Sequence, residues 1–355
     1  MADNRNLNSA AKAKKDKFYT QLEDIENELR WYREFFIGKT IFCNCDDPFE
    51  SNFFKYFAAK FNDLELKKLI TTSYADSPIA GLEINLFPDN KTAYMTEVTE
   101  LKDWTGDGRE SIYDVEYAIK NDIYKTQTLT GDEKYCAGDF RSKECIKLLK
   151  QADVVVTNPP FSAFREYVAQ LMEYNKKFVI IGNINSITYK EIFPLIMQNK
   201  MWLGYGMGRA ISGFIVPNDY ELYGTEARIE DGQRIVSTNQ CLWYTNLDIR
   251  KRHEEIALYK KYSPEVNPRY DNYDAIEVSK TAEIPVDYFG VMGVPITFLD
   301  KYDPRQFEII GHTASNDLSP AVEALRTDPK HRNRGRINGK EKYDRILIRR
   351  RTTEH

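Results

Sequence analysis

The residues best suited to chemistry in this 355-residue chain are Asn158-Pro159-Pro160-Phe161, which follow the run Asp153-Val154-Val155-Val156-Thr157. Three β-branched valines between turn-forming neighbours predict a short strand buried on both faces. Each proline fixes its own φ near about −65° and has no N–H to donate. The residue before a proline is pushed toward an extended conformation, so Asn158 and Pro159 are both held open at the carboxyl end of the strand. Asn158 Oδ1 and the Pro159 carbonyl then make a rigid acceptor pair beside the ring of Phe161. That arrangement suits a planar group carrying an NH2. An ordinary strand-to-helix turn would account for Asn-Pro alone, but the whole tetrapeptide behind a strand favours a ligand-facing role.

Two further strand ends carry candidate polar groups: Asp46-Asp47-Pro48 and Gly138-Asp139-Phe140. Open α/β sheets bind ligands outside the carboxyl ends of their strands. One acid can accept hydrogen bonds from ribose hydroxyls or an ammonium, a second can accept from an adenine amino group, and Phe140 can stack on a purine. An adenosyl cofactor with a positively charged tail fits that set.

The elements that must position these groups follow from hydrophobic spacing. Leu22, Ile25, Leu29 and Tyr32 predict a helix, with Thr20 and Glu23 as a capping box and Gly38 as its end. Strands are predicted over 40–45, 67–74, 135–140 and 177–182, besides the valine run. Helices are predicted after Ser51-Asn52 and over 144–151, 161–174 and 189–198. Residues 75–133 read as an insertion, a hairpin plus a helix around 112–123. Strands alternating with helices predict an α/β, Rossmann-like fold with a mostly parallel sheet and right-handed crossovers. From Met201 the pattern changes to short strands with Gly-rich turns. Gly204, Gly206 and Gly208 have the spacing of a nucleotide loop, but no βαβ unit surrounds them. A strand over 294–299, a linker over 313–340 and a last strand over 343–348 complete the reading. Residues 1–16, polar and without periodicity, are expected to be disordered.

Composition excludes several classes. Hydrophobic content of 42% supports a real core, while a mean hydropathy of −0.57 implies a very polar surface. No stretch approaches the roughly 18 apolar residues that span a bilayer, and the Lys-rich start has no apolar signal region. The cysteines, Cys43, Cys45, Cys136, Cys145 and Cys241, are odd in number and lack framework or zinc spacing, which fits a reduced cytoplasmic protein. His253, His312, His331 and His355 are scattered, which argues against a histidine-based metal or triad site, and no metal is expected. The net charge of −4 hides an asymmetry: residues 326–351 carry +8, leaving −12 on the remainder. A basic segment on an acidic body points to a polyanion, with Arg332–Arg336 and Arg349–Arg351 as phosphate contacts.

The tetrapeptide Asn158-Pro159-Pro160-Phe161 resembles the catalytic motif of N6-adenine DNA methyltransferases. The likeness extends to Phe18-Tyr19-Thr20-Gln21 with Asp24–Leu29, to Cys43–Pro48 with Ser51–Phe57, and to Asp139–Ser142, Asn185–Glu191, Ser212–Pro217, Tyr220–Arg228 and Met292–Leu299. On these words the chain is identified as a member of the EcoRI-type adenine-specific DNA methyltransferase family. The resemblance implies S-adenosylmethionine as cofactor, double-stranded DNA as partner, and a monomer acting on a short palindrome such as GAATTC. It implies that Asn158 and the Pro159 carbonyl accept hydrogen bonds from the adenine amino group, with Pro160 shaping the turn and Phe161 stacking on the base. Phe18, Tyr19, Thr20, Asp46, Asp47, Pro48, Asn52, Asp139, Phe140 and Asn158 would form the cofactor side. Arg209, Tyr220, Tyr223 and Arg228 would contact DNA.

The domain reading places the catalytic domain at 17–217 and a C-terminal target-recognition region at 218–355. Where many methyltransferases have a Gly-rich loop after the first strand, this chain has Asp47-Pro48-Phe49-Glu50-Ser51-Asn52, without glycine. The second strand ends Thr72-Ser73-Tyr74, without the acid that often binds ribose. A methyltransferase acting on RNA adenine or protein glutamine, or a DNA-binding protein that has lost catalysis, are the competing readings.

Overall fold

The valine run lies at the centre of a mixed sheet. The computed structural model describes residues 19–47, 51–74, 93–207, 211–216, 227–230, 232–237, 240–314, 319–328, 330 and 334–351. The expected disorder at 1–16 lies outside these residues. The chain divides into two units, residues 1–184 with 208–247, and residues 185–207 with 248–355. Strands of the first unit are β1 (Tyr19–Thr20), β2 (Thr40–Cys43), β3 (Lys68–Thr72), β4 (Tyr94–Val98), β5 (Lys125–Thr128), β6 (Val154–Thr157), β7 (Lys177–Asn183), β8 (Phe214–Val216), β9 (Ala227–Glu230), β10 (Gln233–Val236) and β11 (Cys241–Thr245).

Within the first unit, the strands of the large sheet run in the order β5-β4-β3-β2-β6-β7-β11. Its central strands, β3, β2, β6 and β7, are parallel, and the outer strands β4, β5 and β11 are antiparallel. Val154 pairs with Ile41 and Val155 with Phe42, and Val155, Val156, Ile41 and Phe42 are fully buried. Such continuous apolar runs belong to strands covered on both faces. Each side chain removed from water contributes roughly 1.5–3 kcal/mol. Chain order reverses between β2 and β6, so the crevice at their carboxyl ends is the topological switch point where such sheets bind ligands. The fold is the expected Rossmann-like methyltransferase fold.

Several local expectations are met. Ser51 caps Asn52–Ala59, its Oγ accepting the N–H groups of Phe53 and Phe54 at 3.2 and 3.4 Å. Others give way to tertiary structure. Thr20 forms no capping box, because it pairs with Phe214 in β1, and Gln21 precedes the helix Leu22–Leu29 without a side-chain cap. Residues 135–140 form turns rather than a strand, with Gly138 in the left-handed region. The helix expected over 189–198 shrinks to Phe193–Met197, with Pro194 in its first turn. A 3-10 turn, Phe161–Ala163, precedes the helix Phe164–Glu173.

Residues 93–133 of the insertion extend the sheet. β4 and β5 pair as expected of a hairpin, but the helix Ile112–Lys120 lies in the chain between them. Ser111 and Asp114 form a capping box at its start. Asp114 accepts from Thr105 N–H and Oγ1 at 2.8 and 2.9 Å and from Ser111 N–H and Oγ at 2.8 and 3.0 Å. Burial opposes its ionisation, but these four donors outweigh that and lower its pKa to about 2.

The second unit holds β12 (Ile276–Glu277), β13 (Met292–Val294), β14 (Phe307–His312) and β15 (Ile346–Arg350), in the order β12-β13-β15-β14. Pro295 ends β13, and a 3-10 helix, Ile296–Lys301, replaces the strand expected over 294–299. Within 313–340, read from sequence as a linker, the helix Pro320–Glu323 buries Val322 against Tyr273 and Leu347. The basic C-terminal stretch is folded where described. Arg345 is buried and its guanidinium meets Glu277 at 2.6 Å, while Arg334 pairs with Asp344 and Arg336 with Glu341.

Because Asp114 has a depressed folded-state pKa, the stability it contributes is complete above its unfolded pKa of about 3.9. That contribution is lost as pH falls toward about 2. Asp114→Asn is expected to melt below the wild type at pH 7, with the gap closing between about pH 4 and pH 2. A gap unchanged across that window, by circular dichroism melting, would contradict the assignment.

Candidate active site

The loop leaving β2 turns without glycine. Cys45 takes the left-handed conformation at φ 66°, which costs a side-chain-bearing residue about 1 kcal/mol or more unless neighbours hold it. The neighbours are hydroxyls from adjoining strands. Thr72 Oγ1 donates to Asn44 Oδ1 at 2.8 Å and accepts the Cys45 N–H at 3.2 Å. Thr71 Oγ1 donates to the carbonyls of Cys43 and Asp46. Ser51 Oγ donates to Asp46 Oδ1 at 2.7 Å, tying the loop to the helix it caps. From β6, Thr157 Oγ1 reaches Asp46 Oδ2 at 2.5 Å and also the Asn44 carbonyl. Tyr94 from β4 donates to Asp47 Oδ2 at 2.9 Å. Asp46 and Asp47 are 8% and 6% exposed, so two carboxylates sit nearly buried at the switch point.

Gly138 brings the third strand-end group in. A Cβ at this position would lie 2.0 Å from the Ser73 carbonyl oxygen and 2.9 Å from Tyr74 Cα, and φ is +78°. Only glycine allows this approach to the end of β3. The next residue, Asp139, is buried and holds Arg141 in a two-pronged pair, Nε to Oδ1 at 3.0 Å and Nη2 to Oδ2 at 2.8 Å. Oδ1 also accepts the Arg141 backbone N–H at 2.9 Å, so Oδ2 is the oxygen with capacity for another donor. Phe140 is buried with its ring 4.9 Å from that of Tyr167, and its carbonyl accepts from Gln170 Nε2 at 3.0 Å. Burial pushes the Tyr167 hydroxyl well above its usual range, so it stays neutral.

Asn158, Pro160 and Phe161 are partly exposed at the end of β6, and Pro159 is buried. The ring of Phe161 lies 6.0 Å from that of Phe214 in β8. The N-terminal segment clasps this neighbourhood. Tyr19 and Thr20 pair with Ile215 and Phe214, and Asn52 Nδ2 donates to the Thr20 carbonyl at 2.8 Å. Gln21 Nε2 donates to Ser212 Oγ at 2.7 Å, while Asp24 Oδ2 accepts from Ser212 N–H and Oγ at 2.9 and 3.0 Å. Burial pushes the Asp24 carboxyl up despite these donors. Arg228 belongs to the same clasp, donating to Ser237 Oγ and, at 3.0 Å, to Glu230.

The structure therefore gathers Asp46, Asp47 and Asn158 about one switch point, bonds Asn52 to Thr20, and seats Asp139 and Phe140 beside the end of β3. Phe18, Pro48, Arg209, Tyr220 and Tyr223 lie outside the described residues. The arrangement offers acids for hydroxyls or a cation on one side and amide and carbonyl acceptors for an amino group on the other.

A family model described as "Adenine-specific methyltransferase EcoRI" matches residues 6–351. The chain belongs to the EcoRI-type adenine-specific methyltransferase family. It is 50% identical to the Type II methyltransferase M.EcoRI of Escherichia coli, over 98% of this chain and 97% of that protein. It is 36% identical to the Type II methyltransferase M.MgeORF184P of Mycoplasma genitalium, over 96% and 98% of the two chains. Against M.MpnI of Mycoplasma pneumoniae the identity is 34%, over 97% and 98%. No solved structure matches the chain. As a family member it is an adenine-specific methyltransferase, and its reaction requires a methyl donor.

Sequence reasoning missed the hydroxyls that hold the loop after β2 in this methyltransferase: Thr71, Thr72, Thr157, Ser51 and Tyr94. The available signal was threonine at the carboxyl ends of two strands beside an acidic loop lacking glycine. It also missed a carboxylate grouping in the insertion. Asp103, Asp107 and Asp114 bring carboxylate oxygens within 4.8 Å of one another. They are the first, fifth and twelfth residues of a segment whose sixth is Gly108. That spacing is the one a calcium loop uses, with Thr105 and Asp114 departing from its usual third and twelfth residues. Both Asp114 oxygens already accept hydrogen bonds from Thr105 and Ser111.

Gly138→Ala forces a Cβ against backbone in the left-handed region and is expected to destabilise the protein by ~2–4 kcal/mol. Urea unfolding checks this, and a change below about 0.5 kcal/mol, the size of ordinary surface substitutions, would refute the close approach.

Proposed function

We propose that this methyltransferase carries a methyl group from S-adenosylmethionine to the N6 amino group of an adenine in duplex DNA, as the modifying partner in a restriction-modification system or alone. The observation that carries the reading is the pairing, across one switch point, of the buried acids Asp46 and Asp47 with the acceptor motif Asn158-Pro159-Pro160-Phe161. When bound, S-adenosylmethionine supplies a methyl group made electrophilic by its sulfonium. Asp46 or Asp47 would hold its ribose or its ammonium end, and Asp139 and Phe140 its adenine, with Tyr19, Thr20 and Asn52 closing the same side. The donor set suits a ligand with hydroxyls and a cationic tail.

On the acceptor side, Asn158 Oδ1 and the Pro159 carbonyl would accept hydrogen bonds from the two N6–H groups. Those bonds turn the nitrogen lone pair out of conjugation and toward the methyl group. Fixed acceptors positioned before the reaction supply orientation and electrostatic stabilisation, and no strong base is required. The target adenine has to leave the duplex, costing a few kcal/mol of unstacking and unpairing, and Phe161 would stack on it. Residues 17–217 serve catalysis and 218–355 target recognition in this reading. Arg209, Tyr220, Tyr223 and Arg228 are the proposed DNA contacts, since arginine can read guanine edges bidentately or bind phosphate. The enzyme acts as a monomer in the cytoplasm. No helix among the described residues is long and apolar enough to cross a membrane.

Purified protein, tritiated S-adenosylmethionine and duplex DNA from a methylation-deficient strain test the reading. Label is expected in DNA, recovered as N6-methyladenine on digestion, and Asn158→Ala is expected to slow transfer by about a hundredfold or more. Label in RNA or protein alone would sink the proposal, and cofactor binding without transfer would indicate lost catalysis. Single-molecule sequencing of DNA from expressing cells identifies the target site.

A further inference from the structure

The side chain of Thr157 is fully buried, immediately before Asn158, in a strand flanked by β2 and β7. Threonine is not needed there for packing, since valine has the same shape and the three preceding residues are valines. What the hydroxyl adds is a link across the switch point. Its oxygen lies 2.5 Å from Asp46 Oδ2 and within hydrogen-bond reach of the Asn44 carbonyl, so one hydroxyl meets the loop after β2 at two points. The hydroxyls of Thr71, Thr72, Ser51 and Tyr94 hold that loop to β3, to its own helix and to β4. Among these, only Thr157 ties it to the strand carrying the acceptor motif.

We infer that Thr157 is a positioning residue, setting the separation between the Asp46–Asp47 loop and Asn158-Pro159. The inference rests on the reading of those two groups as donor and acceptor sides. Methyl transfer needs an in-line approach, and a displacement of about 1 Å from a near-attack geometry can cost about a hundredfold in rate. Losing the hydroxyl leaves the β2–β6 pairing and the groups on both strands in place but unties the loop from the end of β6, so the cost falls on the saturated rate more than on binding. It also removes a donor from a buried carboxylate, which loosens the loop.

The test compares full-length wild type, Thr157→Val, Thr157→Ser and Asn158→Ala. Single-turnover methyl transfer is measured with saturating tritiated S-adenosylmethionine and DNA from a methylation-deficient strain, and cofactor affinity by calorimetry. Single turnover keeps product release from masking the chemical step. Thr157→Val is expected to lose at least tenfold in the saturated rate with less than a threefold change in cofactor Kd. Thr157→Ser, which restores the hydroxyl, is expected to stay within threefold of wild type on both. The inference is overturned if Thr157→Val keeps the wild-type saturated rate, if its whole loss lies in cofactor affinity, or if Thr157→Ser is as slow as Thr157→Val. Should Thr157→Val not fold, Thr157→Ala takes its place under the same thresholds, and a Thr157→Ser enzyme slowed tenfold overturns the idea by itself. An Asn158→Ala enzyme with an unchanged rate would instead overturn the reading of the acceptor motif, which keeps the two failures apart.

Discussion

A hydrogen-bonded joint between the parallel strands β2 and β6 underlies the rest of the candidate active site. The loop after β2 places two carboxylates almost out of water, and a buried carboxylate without donors is costly enough to change its protonation or its position. Here Asp46 receives Ser51 on one oxygen and Thr157 on the other, and Asp47 receives Tyr94. These bonds do two things at once. They satisfy the acids, and they fix a loop that has no glycine to make its turn. The left-handed Cys45 is tolerated because Thr72 holds its N–H and its neighbour Asn44.

This arrangement draws on chain segments that are distant in sequence. The N-terminal segment supplies β1, which pairs with β8, and Asp24, Gln21 and Ser212 lock the pairing from the side. Phe214 in that strand meets the ring of Phe161. The insertion supplies β4, whose Tyr94 donates to Asp47. The clasp and the insertion strand are thus parts of the candidate site's support, and their contacts converge on the ends of β2 and β6.

In the second unit, charge is used structurally. Glu277 and Arg345 are both buried, and Tyr270 adds a second donor to the same carboxylate. A buried pair of this kind rarely stabilises a fold more than apolar residues would, but loss of either partner leaves an uncompensated charge. Arginines counted from sequence as a positive stretch are therefore not equivalent. Arg345 is committed to the interior, and Arg326, Arg334, Arg336 and Arg349 pair with nearby acids.

The sequence by itself determined the class of fold and the position of the Asn-Pro-Pro-Phe motif at the end of its central strand. Val154, Val155 and Val156 could be read as a buried strand because β-branched apolar runs have little else to do, and Asn158-Pro159-Pro160-Phe161 constrains its own backbone whatever surrounds it. Ser51 was legible as a helix cap for the same reason: the cap bonds residues two and three positions away. Local signals failed where a long-range partner competed. Thr20 had the spacing of a capping box and went instead to a strand with Phe214, and Gly138 turned a strand-like stretch into a close approach to Ser73. Only the tertiary structure decided how the glycine-free loop is held. The hydroxyls that do it, Thr71, Thr72, Thr157 and Tyr94, come from three strands, and a single sequence carries no signal for which side chains will meet when those strands are laid side by side. Register between β2, β3, β4 and β6 makes that choice, and register is a property of the assembled sheet.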